Sequence, residues 1–419
     1  MRSCFATFVS LLLVSLCASA AEPHSAKLSS PAPNGGSWVE EATLTNTIGC
    51  CVNGRSVAIG GNTVAVSPIG GSVFVYTKPA GGWSSMTQTA ILTPSNPGDA
   101  ANFGSSIAIA GNTIAVGCSQ ATVGSNSYQG AVYVFVEPAR GWTDMTETAM
   151  LTASDGAASD SLGYAVGIDE NAIVAGAPNH QPLGAAYIFV KPAGGWVTGT
   201  QTAEPTSSSL SEASGVGASA AISGGTVAVG AGLNMSSQEQ GGALVFVKPA
   251  SGWADMSQTA ALATGVQDVS AVFSLAISGN TVVGGTPFIS PNGVLHAGAV
   301  LVWVKPSSGW TDMPPTTELT ASDPQSTEYL GRSVGTNGTA IVAGAPQDTI
   351  GSNREQGAVY VFDKPAGGWT NMTQSAKLVS GCGTSADLFG FSVGISGGTI
   401  VGGAPFINSG TGAAYIFGQ

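Results

Sequence analysis

Short apolar segments with alternating side-chain sizes recur along the chain, and each is broken by glycine, proline or a polar loop. In the segment that begins at Thr113, Ile114 and Val116 point to one face of a strand, while Ala115 and Gly117 point to the other. One face is therefore bulky and the other small, so that bulky faces can pack on small ones. A unit with two apolar faces cannot bury both alone. The pattern predicts stacked β-sheets rather than helices or one sandwich.

The same unit returns seven times, and each copy is marked by one tryptophan: Trp38, Trp83, Trp142, Trp196, Trp253, Trp310 and Trp369. A well-preserved copy holds residues 89–93 (TAILT), 103–117 (FGSSIAIAGNTIAVG) and 130–135 (GAVYVF). Each copy predicts four short strands. Pairs such as Gly111-Asn112 suit the first hairpin turn, and the Pro and Gly residues of Lys-Pro-Ala-Gly-Gly-Trp suit the turn before the fourth strand. Seven four-stranded units close well as a β-propeller.

The two chain ends complement each other. Residues 38–45 (WVEEATLT) match the tryptophan-led strand that elsewhere follows AVYVF, whereas residues 412–417 (GAAYIF) match a third strand with no successor. We therefore expect the N-terminal strand to complete the blade formed by residues 392–395, 399–403 and 413–417, which removes an open sheet edge. The prediction is an all-β, seven-bladed β-propeller of four-stranded blades, closed by the N-terminal strand.

Two glycine motifs give these units a family resemblance. Phe-Gly or Leu-Gly pairs occur at 103–104, 162–163, 330–331 and 389–390, and Gly-Ala-Pro triplets occur at 176–178, 344–346 and 403–405. These motifs resemble the FG-GAP repeats of the integrin α-subunit propeller. Residues 151–166 are more similar still to secreted FG-GAP proteins of bacteria and some microbial eukaryotes. The resemblance implies the propeller fold over about nine-tenths of the chain, but it does not specify a ligand.

The N-terminus has the features of an export signal. Arg2, an apolar run over residues 8–16 and the small residues Ala18-Ser19-Ala20 predict a signal peptide over residues 1–20. A lipoprotein signal would use Cys17, but the bulky Leu16 disfavours it. We expect a linker over residues 21–36, a propeller over residues 37–419 and no membrane span. The mature protein is then secreted, extracellular, periplasmic or at the cell surface.

Charged residues make up 9% of the chain, and the formal net charge is −12. This acidic balance argues against a nucleic-acid partner. Metal and catalytic motifs are scarce as well. The hairpin segments lack the carboxylates of a calcium loop, and even Asp169-Glu170 lacks the required alternation. With three histidines and no recognised catalytic motif, we expect no enzyme, metal site or cofactor.

Candidate residues for a ligand-binding face lie in the loops before first strands and after second strands: Asp160, His180, His296, Glu328 and Asp387. Asp160, Glu328 and Asp387 each stand two residues before a Leu-Gly or Phe-Gly motif. They could form a ring of acids that binds cations or a basic partner. Alternatively, each could accept backbone N–H groups and fix its turn, and their recurrence favours this structural interpretation. The repeated tryptophans likewise suit packing better than sugar stacking.

Four cysteines remain after signal removal: Cys50, Cys51, Cys118 and Cys382. They fall in units one, two and seven, on one face of the predicted ring. A bridge between Cys50 and Cys51 would leave the other two facing each other across a blade, beyond the ~7 Å limit between Cα atoms. In an oxidising compartment we therefore expect two disulfides, one from the vicinal pair to Cys382 and one to Cys118, with either assignment of the pair.

Two functions from different classes follow. The favoured one is a non-catalytic exported scaffold, expected as a monomer, that presents loops of one propeller face to an extracellular protein or glycan. The alternative is a secreted hydrolase or lyase whose active site lies at the central channel. The small number of histidines and cations disfavours the enzyme.

Overall fold

A computed structural model describes residues 37–47, 54–68, 71–207, 215–235, 238–265 and 272–419. The predicted signal peptide and linker lie outside these residues. Seven small sheets surround a central axis, and the first strands of neighbouring sheets contact each other around the ring. The predicted all-β, seven-bladed β-propeller is confirmed.

Blades are numbered in chain order from Ser56. The strands of each blade are given in order from the central axis outward. Blade 1 comprises Ser56–Gly60, Thr63–Ser67, Val73–Thr77 and Ala90–Leu92. Blade 2 comprises Ser106–Ala110, Thr113–Cys118, Ala131–Val136 and Ala149–Thr152. Blade 3 comprises Ala165–Ile168, Ala172–Ala177 and Ala185–Val190. Blade 4 comprises Ala220–Ser223, Thr226–Met235, Gln238–Val247 and Ala260–Ala263.

The remaining three blades follow the same order. Blade 5 comprises Ser274–Ser278, Thr281–Thr286, Ala299–Val304 and Thr317–Thr320. Blade 6 comprises Ser333–Thr336, Ala340–Ala345, Ala358–Asp363 and Ala376–Leu378. Blade 7 comprises Ser392–Ser396, Thr399–Ala404, Ala413–Gly418 and the N-terminal strand Val39–Thr45. Short helical turns occupy Pro97–Asn102, Pro291–Gly293 and Ile407–Gly410.

None of the helices within the described residues is long and apolar enough to cross a membrane.

The chain ends close the ring as predicted. Val39–Thr45 pairs antiparallel with Ala413–Gly418, so that Leu44 lies opposite Ala414 and Thr43 opposite Tyr415. A register shift between Glu40 and Ala42 bends the N-terminal strand. Ala42 and Leu44 are buried in the core between blades 7 and 1. The same strand therefore supplies both the outer edge of blade 7 and part of the packing that joins the ring.

The tryptophan-led segments differ from the predicted simple fourth strands. After every repeated tryptophan except Trp38, a short stretch first pairs parallel with the outer strand of the preceding blade, as Met86–Thr87 does with Leu44 and Thr45. Gly199–Thr200 and Met372–Thr373 pair in the same way with blades 2 and 5. Only then does the chain form the fourth strand of its own blade. Six of the seven repeated tryptophans are buried and Trp38 is half-buried, which agrees with a packing role.

Blade 3 departs from the predicted four strands. Its fourth strand is reduced to one bridge between Ile188 and Ala203. Pro205 follows two residues later, and proline has no N–H to extend a ladder. Elsewhere the size alternation works as expected, because Ile114 and Val116 pack toward blade 1 while Ala115 packs toward blade 3.

Candidate functional site

The inner ends of the blades form the mouth of the central channel on the face that carries the longer loops. Each first strand begins just after a motif glycine, or after Val272 in blade 5. Serines at the start of four strands donate to the carbonyl of the next blade's motif glycine: Ser106 to Gly163 (2.8 Å), Ser274 to Gly331 (3.0 Å), Ser333 to Gly390 (3.0 Å) and Ser392 to Gly54 (2.9 Å). These bonds fix neighbouring blades around the opening.

The residue after each motif glycine lines this channel mouth. The seven positions, one from each blade, are Arg55, Ser105, Tyr164, Ala218, Phe273, Arg332 and Phe391. Together with the serines and the first apolar residues of the inner strands, they enclose a cavity of about 970 Å³. The strand framework is shared by all blades, whereas these seven side chains differ widely in size and polarity. The channel mouth therefore has the same backbone frame in every blade and a different lining side chain in each.

Arg332 is the most constrained charged group in this cavity. Its guanidinium carbon lies over the rings of Phe273 and Phe391, at 4.3 and 4.5 Å from their centroids. The two rings come from the flanking blades 5 and 7, so three blades build the arrangement. Burial lowers the pKa of Arg332, and the charge of Arg55 lowers it further while Tyr164 opposes the change. Arginine side chains carry their positive charge in proteins at neutral pH.

The charge at the mouth is opposite in sign to that of the whole protein. Arg55 and Arg332 are its charged side chains among the described residues, and none of the described lining residues is Asp, Glu or His. Within the described chain neither arginine forms an ion pair. Neutral hydrogen-bonding side chains, including Asn102, Gln120 and Asn179, complete the wall. The opening can therefore receive negative charge although the formal net charge of the chain is −12.

The three loop acids are turned into the protein instead of forming a charged ring. Asp160 accepts a hydrogen bond from the Ala157 amide at 2.6 Å. Asp387 accepts one from the Thr384 amide and another from the Thr384 hydroxyl, the latter at 2.9 Å. These bonds are those expected from the structural interpretation. Asp387 also lines a separate open depression of about 560 Å³ near Glu355 and Phe406.

Glu328 does not make the hydrogen bonds that Asp160 and Asp387 make. Its side chain is fully buried, and neither carboxylate oxygen has a hydrogen-bond partner among the described residues. Burial and the neighbouring charge of Asp348 raise the pKa of Glu328 to about 8. The Gln325 backbone amide lies close enough to counter part of this rise, but it does not reach hydrogen-bond geometry. The extra methylene that distinguishes Glu from Asp moves this carboxylate away from the turn amide that an aspartate reaches.

His180 lies in a cluster with carboxylates at blade 3. Its Nδ1 is 2.8 Å from Asp160 Oδ2, and its Nε2 is 3.7 Å from Asp155 Oδ2. One ligand atom from each of Asp155, His180 and Glu204 lies within 4.8 Å of the others, so these three residues could hold a metal ion. Burial and the charge of Asp155 raise the pKa of Glu204. The prediction from sequence missed this group because its members come from three separate loops and strands.

Blade 6 holds the equivalent cluster with its own cation. Lys377 occupies the position of Glu204, since each follows an alanine that pairs at the same point of the third strand. The Lys377 ammonium lies 2.7 Å from Asp323 and 2.7 Å from Asp348. Burial lowers the pKa of Lys377, but the two carboxylates outweigh burial and the net shift is upward. The cluster of blade 3 has a glutamate where blade 6 has this lysine, so its carboxylates lack a lysine partner.

His296 is not brought together with His180. It stacks on Tyr329 with 6.0 Å between ring centroids and contacts Phe288 edge to face. The two histidines thus belong to separate clusters in blades 5 and 3, and neither lines the channel mouth.

Two of the four cysteines lie within the described residues, Cys118 in blade 2 and Cys382 before blade 7, with blade 1 between those two blades. Cys118 is buried at the end of the second strand of blade 2, where its thiol donates to the Asp99 carbonyl at 3.2 Å. Burial, with the charge of Asp99, raises its pKa to about 12. Cys382 is exposed in the loop before blade 7. Cys50 and Cys51 lie outside the described residues, so both disulfides stay predictions.

Comparison with known proteins agrees with the repeat assignment. The family described as FG-GAP repeat matches residues 86–135, 145–189, 315–362 and 372–417. No curated protein matches the chain. Among solved structures, the crystal structure of the computationally designed Ika8 protein is similar, with a TM-score of 0.48 and 14% sequence identity. That similarity covers 91% of this chain and 99% of the designed one.

Proposed function

We propose that this chain, a seven-bladed β-propeller carrying FG-GAP repeats, is an exported, non-catalytic scaffold that binds an extracellular protein or glycan at the channel mouth. The observation that carries the proposal is the lining of the cavity by seven dissimilar side chains on a repeated frame. A concave site with a few polar groups held by rigid elements is the usual form of a ligand site. The N-terminal signal pattern supports export.

The channel mouth offers little for the alternative of a secreted hydrolase or lyase at the axis. Carboxylate pairs in glycosidases stand roughly 5–10 Å apart. The described lining residues provide no carboxyl or imidazole group from which such a pair could be built. Binding, rather than acid and base catalysis, is what arginine, tyrosine and neutral amides at this position support.

One observation favours an enzyme elsewhere on the same face. Asp155, Asp160 and Glu204 surround His180 at blade 3, and such groups could transfer protons. A hydrolase or lyase activity that is lost in His180→Gln, while ligand capture at the mouth persists, would support this second candidate.

The binding proposal is tested with a glycan array and a pull-down from extracellular material, using three forms of the mature protein. The exposed Ala218 lines the mouth, so Ala218→Trp should block it. Asn280→Trp places the same side chain in an exposed hairpin turn at the other end of the blades. We expect ligands that are captured by the wild type and by Asn280→Trp but not by Ala218→Trp. Capture that is equal in all three proteins would contradict a site at the mouth.

A further inference from the structure

The guanidinium of Arg332 packs on two aromatic rings, with its central carbon over Phe273 and over Phe391. Its N–H donors point outward in the plane of the group, so that acceptors must approach in that plane. Within the described part of the chain, no acceptor bonds to these donors and no carboxylate pairs with them. A partly buried guanidinium of this kind gains most from an anion with two oxygens, because the planar donors match it in pairs.

Two further groups at the mouth define what else the ligand carries. Arg55 is exposed and supplies a second positive charge close enough to affect Arg332. Tyr164 is 50% exposed and presents an aromatic ring at the same opening. Asn102, Gln120 and Asn179 add neutral donors and acceptors. A ring with hydroxyl groups and one carboxylate would use all of these features.

An acidic peptide fits the same opening less well. Peptides commonly bind by adding a strand to an open sheet edge. At this mouth each first strand is the edge of its sheet, but it contacts the first strands of both neighbouring blades around the axis, which leaves little space beside it for an added strand. A compact terminal group can enter such an opening more readily than an extended chain.

We propose that the channel mouth binds the carboxylate of an acidic sugar at the end of a glycan, with Arg332 and Arg55 facing the carboxylate and Tyr164 facing the sugar ring. This inference rests on the proposed function, since it names the ligand class of the same site. The phenylalanine rings hold Arg332 in place before the ligand arrives, so that little side-chain freedom is lost on binding.

The test compares methyl β-glucuronide with methyl β-glucoside by isothermal titration calorimetry. These two probes differ only at C6, which is a carboxylate in the first and a hydroxymethyl group in the second. We expect the glucuronide to bind the wild type at least about ten-fold more tightly than the glucoside, as a charge-assisted pair allows. Arg332→Gln should abolish this preference. Arg55→Gln and Tyr164→Ala should each weaken glucuronide binding. Arg140→Gln is the matched control, since Arg140 is an exposed arginine in the Pro138 to Gly141 turn outside the cavity.

Each result decides the inference. Equal affinity for the two probes, or unchanged glucuronide binding in Arg332→Gln, would overturn it. If Arg332→Gln does not fold, the exposed Arg55→Gln and Tyr164→Ala variants decide in its place. Binding of hexaglutamate but not of the glucuronide, with the same dependence on arginine, would overturn the sugar assignment in favour of an acidic peptide. Capture of only uncharged ligands that Ala218→Trp blocks would overturn the anion assignment while the proposed function stands.

Discussion

The carbonyl oxygen of Gly390 in blade 7 lies directly against Gly344 of blade 6, where a Cβ atom would come much closer than 3.0 Å. The same contact joins Gly117 to Gly163, Gly176 to Gly217, Gly285 to Gly331 and Gly403 to Gly54. The two glycines of the repeat motif therefore meet across the blade interface: one belongs to the end of a second strand, and the other precedes the next blade's first strand. This contact explains why the second-strand position requires glycine, and the last pair also closes the ring. The other position requires glycine because its φ is positive, as at Gly390 (+86°).

Gly344→Ala should destabilise the protein by about 1–3 kcal/mol or more, because the new methyl group meets a backbone carbonyl that cannot move without shifting blade 7. Urea denaturation measures the change in the free energy of unfolding. Gly367→Ala is the matched control, since a Cβ there meets nothing within 4 Å. Equal stability of the two variants would show that the blade contact is not tight.

Deletion of residues 38–45 should cause aggregation or the loss of cooperative melting. The deletion removes the strand that pairs with Ala413–Gly418 and leaves that strand as an open edge. Light scattering after size exclusion and a thermal melt measure both effects. A protein that begins at Ser37 keeps the strand and should remain monomeric. A monomeric deletion variant that melts normally would refute closure by the N-terminal strand.

Because of Glu328, the free energy of unfolding should fall as the pH rises from about 4.5, the ordinary pKa of this group, to about 8, its pKa in the folded protein. In that range the folded state holds a proton that the unfolded state has lost, so each pH unit costs up to about 1.4 kcal/mol. Glu328→Gln should flatten this slope in chemical denaturation measured from pH 5 to 8. Glu170→Gln alters an exposed carboxylate and should leave the slope unchanged. A slope that is the same in all three proteins would contradict the assignment to Glu328.

Calcium should not stabilise the propeller. The hairpin loop with most carboxylates uses Asp169 for its own turn, since Oδ1 accepts the amides of Asn171 and Ala172 at 3.1 and 2.9 Å. We expect melting temperatures in calcium and in chelator to agree within about 1 °C, because a ligand raises stability only if it binds the folded state. A rise of several degrees would contradict this prediction. If Glu204→Gln then removed the rise, the ion would lie at the cluster of blade 3 and not in the hairpin loops.

The fold was predictable because its signals are local and repeated. Glycine turns, alternating strand residues and the complementary segments at 38–45 and 412–417 each indicate part of the ring, and none depends on the ligand. The shortened fourth strand of blade 3 was not predicted, although Pro205 gave a signal for it. The parallel pairing of Met86–Thr87 with the preceding blade depends on a contact between repeats, which the pattern within one repeat does not contain.

The lining of the channel mouth was not predicted from the sequence because its residues do not recur from blade to blade. Asp160, Glu328 and Asp387 recur and are buried, with Asp160 and Asp387 bonded within their own loops. The lining residues instead vary from blade to blade at one fixed position, directly after the motif glycine or Val272. Aligning the seven repeats and selecting the variable position would have identified Arg332. Its contact with two phenylalanines still requires the ring, since blades 5, 6 and 7 contribute one residue each.

A crystal structure of the mature protein soaked with methyl β-glucuronide tests the binding site most directly. The account predicts sugar density in the channel mouth, with carboxylate oxygens about 2.7–2.9 Å from the guanidinium nitrogens of Arg332 and the ring beside Tyr164. Density only at the blade 3 cluster or on the outer strands, with an empty mouth at a saturating concentration, would contradict it.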